Sequence, residues 1–287
     1  MKGRVEHLTL PGGLRLEYEE RGDPDGVPVL LLHGVTDSRR SWDPVLPHLP
    51  PSIRAIALSQ RGHGDSDRPG GGYAIEDLAG DAAAAIDALG LGSAVVVGHS
   101  MGGWVAQRLA IDHPERVIAA LLAAAPGAPR EDAEFSAFLE EMSMLPGPVD
   151  DALAREFQLG TTERELPEEM LDLFVAESLK VPSHLWRVLF RGFLDIDLYE
   201  ELESAEPPAL LVWGDRDALV ARAQQDRLME AIPRARLAVY EGTGHAVHWE
   251  EPQRFAAQLA AFALSQGRSR MMSSSESSGR SKRALTA

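Results

Sequence analysis

Ser100 stands in Gly98-His99-Ser100-Met101-Gly102, directly after the apolar run Ala94-Val95-Val96-Val97 and before a helix-forming stretch. A serine at the apex of a sharp strand-to-helix turn is a nucleophile presented at the end of a sheet, its backbone held at positive φ. Glycines two residues before and two after it are then a steric requirement, because Cβ atoms there would have no room. A serine hydroxyl is a weak nucleophile at neutral pH. It needs a base within hydrogen-bond reach and a third group that holds the base in the right tautomer. Two downstream segments supply candidates. Asp215 and Asp217 lie in Gly214-Asp215-Arg216-Asp217, after the buried run Ala209-Leu210-Leu211-Val212-Trp213, and His245 ends Glu241-Gly242-Thr243-Gly244-His245, after the run 236–240. Open α/β sheets carry their active-site loops at the carboxyl ends of strands. The chain order is Ser, Asp, His, each after a strand of its own.

For these residues to meet, their strands must share one sheet. Val29 to Leu32, Ile53 to Leu58, Ala94 to Val97, Val117 to Leu122, Ala209 to Trp213 and Arg236 to Tyr240 are short apolar runs without alternation, as parallel strands covered on both faces require. Helical stretches separate most of them: Ile75, Leu78, Ala82, Ile86 and Leu89 fall near helical spacing, and Trp104, Leu109 and Ile111 follow Ser100. Glu6 to Arg21 reads as an N-terminal hairpin around Pro11-Gly12-Gly13, suited to a sheet edge. The alternation stops at Pro126 and resumes at Pro207-Pro208. Between them, Phe135, Phe138, Leu139 and Met142 form one helical stripe and Leu171, Phe174, Val175 and Leu179 another, which predicts a helical cap. The expected division is 1–126 for the first part of the core, 127–206 for the cap, 207–265 for the second part of the core, and 266–287 for a disordered tail. That tail contains the serine-rich, aromatic-free stretch 271–279, which has too little apolar surface to fold.

Composition narrows the function. The chain has 287 residues, 44% hydrophobic, and a formal net charge of -16, which argues against nucleic acid and anionic membranes as partners. Residues 128–206 hold 20 Asp and Glu against 6 Lys and Arg, so the acidity concentrates in the insert. With no cysteine, disulfides and thiol chemistry are excluded. The longest apolar stretch, Val117 to Ala125, is about half of what a membrane span needs. The N-terminus lacks the apolar core of a secretory signal, so a cytoplasmic location is expected. No metal site is expected: His245 and His248 lie three residues apart without a third ligand.

Five separated features, in order, give the chain its resemblance to the α/β-hydrolase superfamily over roughly residues 5–265: His33-Gly34, Arg61-Gly62-His63-Gly64-Asp65-Ser66, the Ser100 turn, Gly214 to Asp217, and Gly244-His245. The resemblance implies a mostly parallel eight-stranded sheet flanked by helices, with a helical cap insertion. It implies Ser100 as nucleophile, His245 as general base and then acid, and Asp217, rather than Asp215, as the carboxylate that orients His245. It places one oxyanion-hole N–H at Val35, beside that of Met101 at the amino end of the helix after the serine. His33, Arg61 and His63 would tie strand ends together, and His99 would pack within the turn. The activity implied is hydrolysis of carboxylic esters or lactones through an acyl-enzyme, without a cofactor, on small to medium substrates, which the acidity of the insert narrows to uncharged or cationic molecules, uncharged ones being expected. Trp42, Phe138, Met142, Trp186 and Phe190 are the candidate pocket residues. The main rival is a carbon–carbon bond hydrolase of the meta-cleavage-product type, whose anionic substrates would need a clamp such as Arg187 and Arg191; those two arginines are expected instead to pair with cap carboxylates. A cofactor-free haloperoxidase side reaction, a cofactor-free oxygenase and a non-hydrolytic ligand receptor are further readings of the same fold. Substrate identity and oligomeric state are not written in the sequence.

Overall fold

The computed structural model describes residues 3–267. In chain order it opens with the strands β1 (Arg4–Thr9), β2 (Arg15–Arg21), β3 (Val27–Leu32) and β4 (Ile53–Leu58). Helix α1 (Ile75–Ala88), strand β5 (Ala94–His99), helix α2 (Met101–Asp112) and strand β6 (Val117–Ala123) follow. An insertion then carries α3 (Ala133–Ser143), α4 (Asp151–Leu159), α5 (Glu168–Leu179), α6 (Ser183–Phe193) and the single turn α7 (Tyr199–Leu202). The sheet resumes with β7 (Ala209–Gly214), α8 (Arg222–Ala231), β8 (Ala235–Tyr240) and the single turn α9 (Val247–Glu250). A last helix, α10, spans 252–267. The helix therefore includes residues 266 and 267, the first two positions of the expected tail, and the rest of that expectation lies outside the described residues.

All eight strands join one sheet in the order β1-β2-β4-β3-β5-β6-β7-β8. β1 pairs antiparallel with β2, and β2 antiparallel with β4; every other pairing is parallel. The N-terminal hairpin forms one edge. The central strands lack alternation in sequence because both of their faces are buried. Their side chains nevertheless alternate in space: Leu30, Leu32, Val96 and Leu122 join the core under α1, α2 and the insertion, whereas Val29, Leu31, Val95, Val97 and Leu121 join the core under α10. At about 25 cal/mol per Å² of apolar surface, each fully buried Leu or Val contributes roughly 1.5–3 kcal/mol, so a polar residue on either face would be destabilising.

The loop after β4 knits strand ends together. Ser66 Oγ donates to the Ser59 carbonyl at 2.6 Å and accepts from the Glu17 N–H at 2.8 Å. His33 accepts the Gln60 N–H at Nε2 (3.0 Å) and donates from Nδ1 to the Gly34 carbonyl (2.7 Å), which fixes a neutral tautomer. Burial also pushes His63 down to about 4, and its Nδ1 bonds the Arg61 carbonyl. Arg61 grips the Asp81 carboxylate of α1 with two hydrogen bonds, at 2.5 and 2.6 Å. None of these three side chains lines the cavity described next. Among the described residues no helix is long and apolar enough to cross a membrane.

Candidate active site

Ser100 sits between β5 and α2 with φ 49° and ψ -115°, a conformation that L-residues rarely hold. Its neighbours explain how it is tolerated. A Cβ at Gly98 would lie 2.0 Å from the Gly102 carbonyl oxygen, and a Cβ at Gly102 would lie 2.2 Å from that of Leu32. Only glycine allows β5, α2 and β3 to close around the turn. The Ser100 N–H donates to the Ala123 carbonyl at 3.1 Å, anchoring the strained residue to β6. Among the described residues Thr36 (φ 68°) and Ala124 (φ 44°) are the other non-glycine residues at positive φ, and both follow strands that flank β5.

His245 follows β8 and is 3% exposed, with its Nδ1 2.9 and 3.1 Å from the two carboxylate oxygens of Asp217. The Asp217 side chain is fully buried, and its Oδ1 also accepts the N–H groups of Leu219 and Val220, both at 2.9 Å. Asp215, two residues away, is exposed and its Oδ1 accepts the Gly242 N–H at 2.6 Å. The turn at 215–217 thus turns one carboxylate outward and the other onto His245. Glu250 of α9 steadies the histidine loop from the other side, accepting the N–H groups of Gly244, Glu163 and Arg164 at 2.8 to 3.2 Å and so joining that loop to the insertion.

Ser100, His245, Val35 and Met101 all line one cavity, which holds about 480 Å³ of space free of protein atoms counted out to its open mouth. Neither the Val35 nor the Met101 N–H has a protein acceptor among the described residues. The Met101 amide opens α2, where unpaired N–H groups and the helix dipole favour negative charge. The floor and walls are aromatic: Trp104 from α2, Phe135 and Phe138 from α3, Phe157 from α4, and Phe190 and Phe193 from α6. No Lys or Arg lines it.

Of the five expected pocket residues, Phe138 and Phe190 line this cavity and three do not. Trp42 is fully buried on the opposite face of the sheet, its ring 4.6 Å from that of His248 and 6.0 Å from that of Phe255 in α10. Trp186 is also fully buried, edge-on behind Phe157 at 5.2 Å, so it supports a lining ring instead of being one. Met142 lies one helical turn too far along α3 and faces an adjoining hollow with Glu141, Leu153 and Glu156, which shares Phe138, Phe157 and Leu219 with the first. Arg187 donates to the carbonyls of Leu145 and Gly147, so backbone carbonyls, not the expected cap carboxylates, hold it. His99 donates from Nε2 to the His245 carbonyl at 3.2 Å, and His248 Nε2 lies 3.0 Å from Ser41 Oγ. Burial pushes both imidazoles well below their ordinary range, leaving them neutral.

The lining also holds polar residues that sequence reasoning missed: Asp37, two residues beyond Val35, and Gln158 and Thr161 from the insertion. Nothing local marks them. Asp37 sits in the loop whose Val35 was singled out, and that adjacency was the one available signal. Gln158 is a single polar residue at the end of an amphipathic helix, and only tertiary packing brings it to the site.

Similar proteins agree with this architecture. A non-heme chloroperoxidase of Streptomyces lividans is 28% identical over 273 residues, covering 90% of this chain and 99% of that protein. A putative aryl esterase from Burkholderia cenocepacia superposes with a TM-score of 0.78 at 28% identity, covering 91% of this chain and all of the other, 100%. An esterase from Exiguobacterium antarcticum reaches a TM-score of 0.80 at 24% identity over 91% of this chain and 100% of its own. The family model described as alpha/beta hydrolase fold matches residues 27–252. With its eight-stranded sheet, its serine turn after β5 and this match, the chain belongs to the α/β-hydrolase superfamily.

Proposed function

We propose that the protein is a serine hydrolase of carboxylic esters or lactones, acting through an acyl-enzyme on small, uncharged substrates held under the helical insertion as a cap. The observation that carries this reading is the meeting of Ser100, on its strained turn, with a buried His245–Asp217 pair at one aromatic cavity. Asp217 accepts a hydrogen bond from the Nδ1–H of His245 and so holds the tautomer in which Nε2 is the basic nitrogen. Ser100 Oγ attacks the ester carbonyl carbon and passes its proton to Nε2. The carbonyl oxygen becomes an oxyanion and accepts the N–H groups of Val35 and Met101; one such donor typically contributes about 10²- to 10³-fold in rate. His245 then returns the proton to the leaving alcohol oxygen as the carbon–oxygen bond breaks. Water, deprotonated by His245, attacks the acyl-enzyme and releases the acid and Ser100.

Substrate class follows from the cavity walls. Seven aromatic rings, Trp249 among them, and no Lys or Arg suit an uncharged acyl chain, and they disfavour the anionic dienones of carbon–carbon bond hydrolases, which need a buried positive partner. The likeness to the putative aryl esterase supports ester substrates. The likeness to the chloroperoxidase supports a side reaction in which hydrogen peroxide replaces water and the acyl-enzyme yields a peroxy acid.

A fluorophosphonate probe and a graded panel of 4-nitrophenyl esters and lactones test the reading. The expected result is stoichiometric labelling of wild type, none of Ser100→Ala, and turnover that falls by about 10⁴-fold or more in Ser100→Ala and His245→Ala. Labelling that persists in Ser100→Ala, or tight ligand binding without turnover of any ester or lactone, overturns it.

A further inference from the structure

The aromatic cavity has one polar corner that the proposed hydrolysis does not use. Asp37 and Gln158 both line it, and they are 5% and 0% exposed. Gln158 Nε2 donates to Asp37 Oδ1 at 3.1 Å and to Ser178 Oγ at 2.7 Å. In this orientation Nε2 makes both bonds, and the ionised form of Asp37 holds it there, since a flipped amide would set oxygen against carboxylate oxygen. The amide oxygen that remains, Gln158 Oε1, is buried and has no partner. Asp37 is also short of partners: among the described residues, beyond Gln158, its side chain receives only Ser41 Oγ, at a long 3.3 Å, although a carboxylate accepts about four hydrogen bonds. Leaving a buried acceptor unpaired is unfavourable, and native proteins keep few of them. Gln158 belongs to the cavity lining, so a ligand's donor that reaches this corner would satisfy the orphan acceptor.

The corner is also well placed with respect to the reacting carbonyl. Asp37 follows Val35 in the same loop, its N–H bonded to the Gly34 carbonyl at 3.3 Å, and a Cβ added at Gly34 would lie 3.1 Å from Asp37 Oδ2 and 2.9 Å from His99 Nδ1. The wall that presents the Val35 N–H therefore continues directly into the Asp37 carboxyl. Burial pushes that carboxyl up to about 7, so near neutral pH it donates as readily as it accepts. A hydroxyl, which is both donor and acceptor, matches the pair; an alkyl chain does not.

We propose that Asp37 and Gln158 form a hydrogen-bonding subsite, and that the preferred substrates carry a hydroxyl on the acyl or lactone carbons near the scissile carbonyl. The inference rests on the ester-hydrolase reading for its assay, though not for its geometry.

The test compares ethyl 2-, 3- and 4-hydroxybutanoate with ethyl butanoate, whose unactivated leaving group resists self-lactonisation on the time of the assay. Each ratio of kcat/KM is taken within one protein, so that a general loss of activity cancels. A satisfied buried hydrogen bond predicts a preference of at least about 10-fold for one hydroxylated isomer in wild type. Gln158→Leu is expected to bring that ratio to about one. Asp37→Asn, which keeps the shape, should lower it in the same direction, and it stands in if Gln158→Leu does not fold. A wild-type ratio near one for all three isomers overturns the proposal, as does a ratio that both variants leave unchanged. If wild type turns over no ester, the hydrolase reading fails while the subsite stays testable by calorimetry with the same four esters. Tighter binding of a hydroxylated isomer, lost in Gln158→Leu, then upholds the subsite, and equal or absent binding overturns it.

Discussion

Asp217 Oδ1 accepts from His245 and from two backbone N–H groups at once, and that crowding dictates what an isosteric change would do. In Asp217→Asn the amide oxygen must stay with the Leu219 and Val220 N–H groups, which aims the NH₂ at His245 Nδ1. The imidazole then accepts at Nδ1 and carries its proton on Nε2, so it has no lone pair for the Ser100 proton. We expect kcat to fall by about 10⁴-fold with little change in thermal stability, checked by ester kinetics and a melting curve. Asp37 makes the opposite kind of prediction. Its carboxyl titrates at about 7 in the folded protein, against 3.8 ordinarily, because burial disfavours the charge more than Gln158, Ser41 and a charged His245 favour it, while Glu177 adds repulsion. A raised pKa means that the folded state holds the proton more tightly. The contribution to stability is therefore complete below about pH 4 and is lost as pH rises through about 7. Asp37→Asn cannot ionise, so the stability of wild type relative to the variant should drop by up to about 4 kcal/mol between pH 4 and 8 in urea titrations. A difference that is constant across that range would contradict the burial argument.

The elements were legible in the sequence to the extent that their signals were local. Glycines on either side of Ser100 report a steric crowding within five residues, and the structure turns it into contacts of 2.0 and 2.2 Å for any added Cβ. Gly98→Ala should accordingly destabilise the fold by about 3 kcal/mol or more, because the obstacle is backbone that cannot move aside. The six apolar runs became strands because continuous burial needs continuous apolarity. What the sequence could not say is which large apolar side chain faces the cavity. Trp42, Trp186 and Phe190 carry the same chemistry, and only the crossing of α3, α4 and α6 decides that Phe190 lines the space while Trp186 backs Phe157. Trp186→Ala is expected to cost about 3–5 kcal/mol of stability, whereas Phe190→Ala should mainly raise KM for longer acyl chains. A melting curve and a chain-length series separate the two. Asp37 and Gln158 are 121 residues apart, so no window of sequence contains their pairing.

At the scale of the whole molecule, the charge of -16 is not spread evenly, and two of its carboxylates, Glu141 and Glu156, line the hollow that adjoins the aromatic cavity. A negative mouth repels anions over roughly a Debye length, about 10 Å at 0.1 M salt. Raising ionic strength should increase kcat/KM for an ester with a free carboxylate and decrease it for one with a quaternary ammonium, each by several-fold, while a neutral ester stays flat. Parallel responses of all three would place the charge elsewhere. The order of the strands has a consequence for synthesis. Ser100 follows the fifth strand and His245 the eighth, which closes the far edge of the sheet. A ribosome moving at about 5–20 residues per second needs roughly 7–30 seconds to travel from one to the other. Throughout that interval the emerging chain exposes Ser100 as an ordinary alcohol, inert towards every ester in its surroundings. On the proposed mechanism, reactivity is switched on when the last strand docks, so phosphonate labelling of a refolding sample reports molecules whose eighth strand is in place and should lag behind any optical signal of collapse.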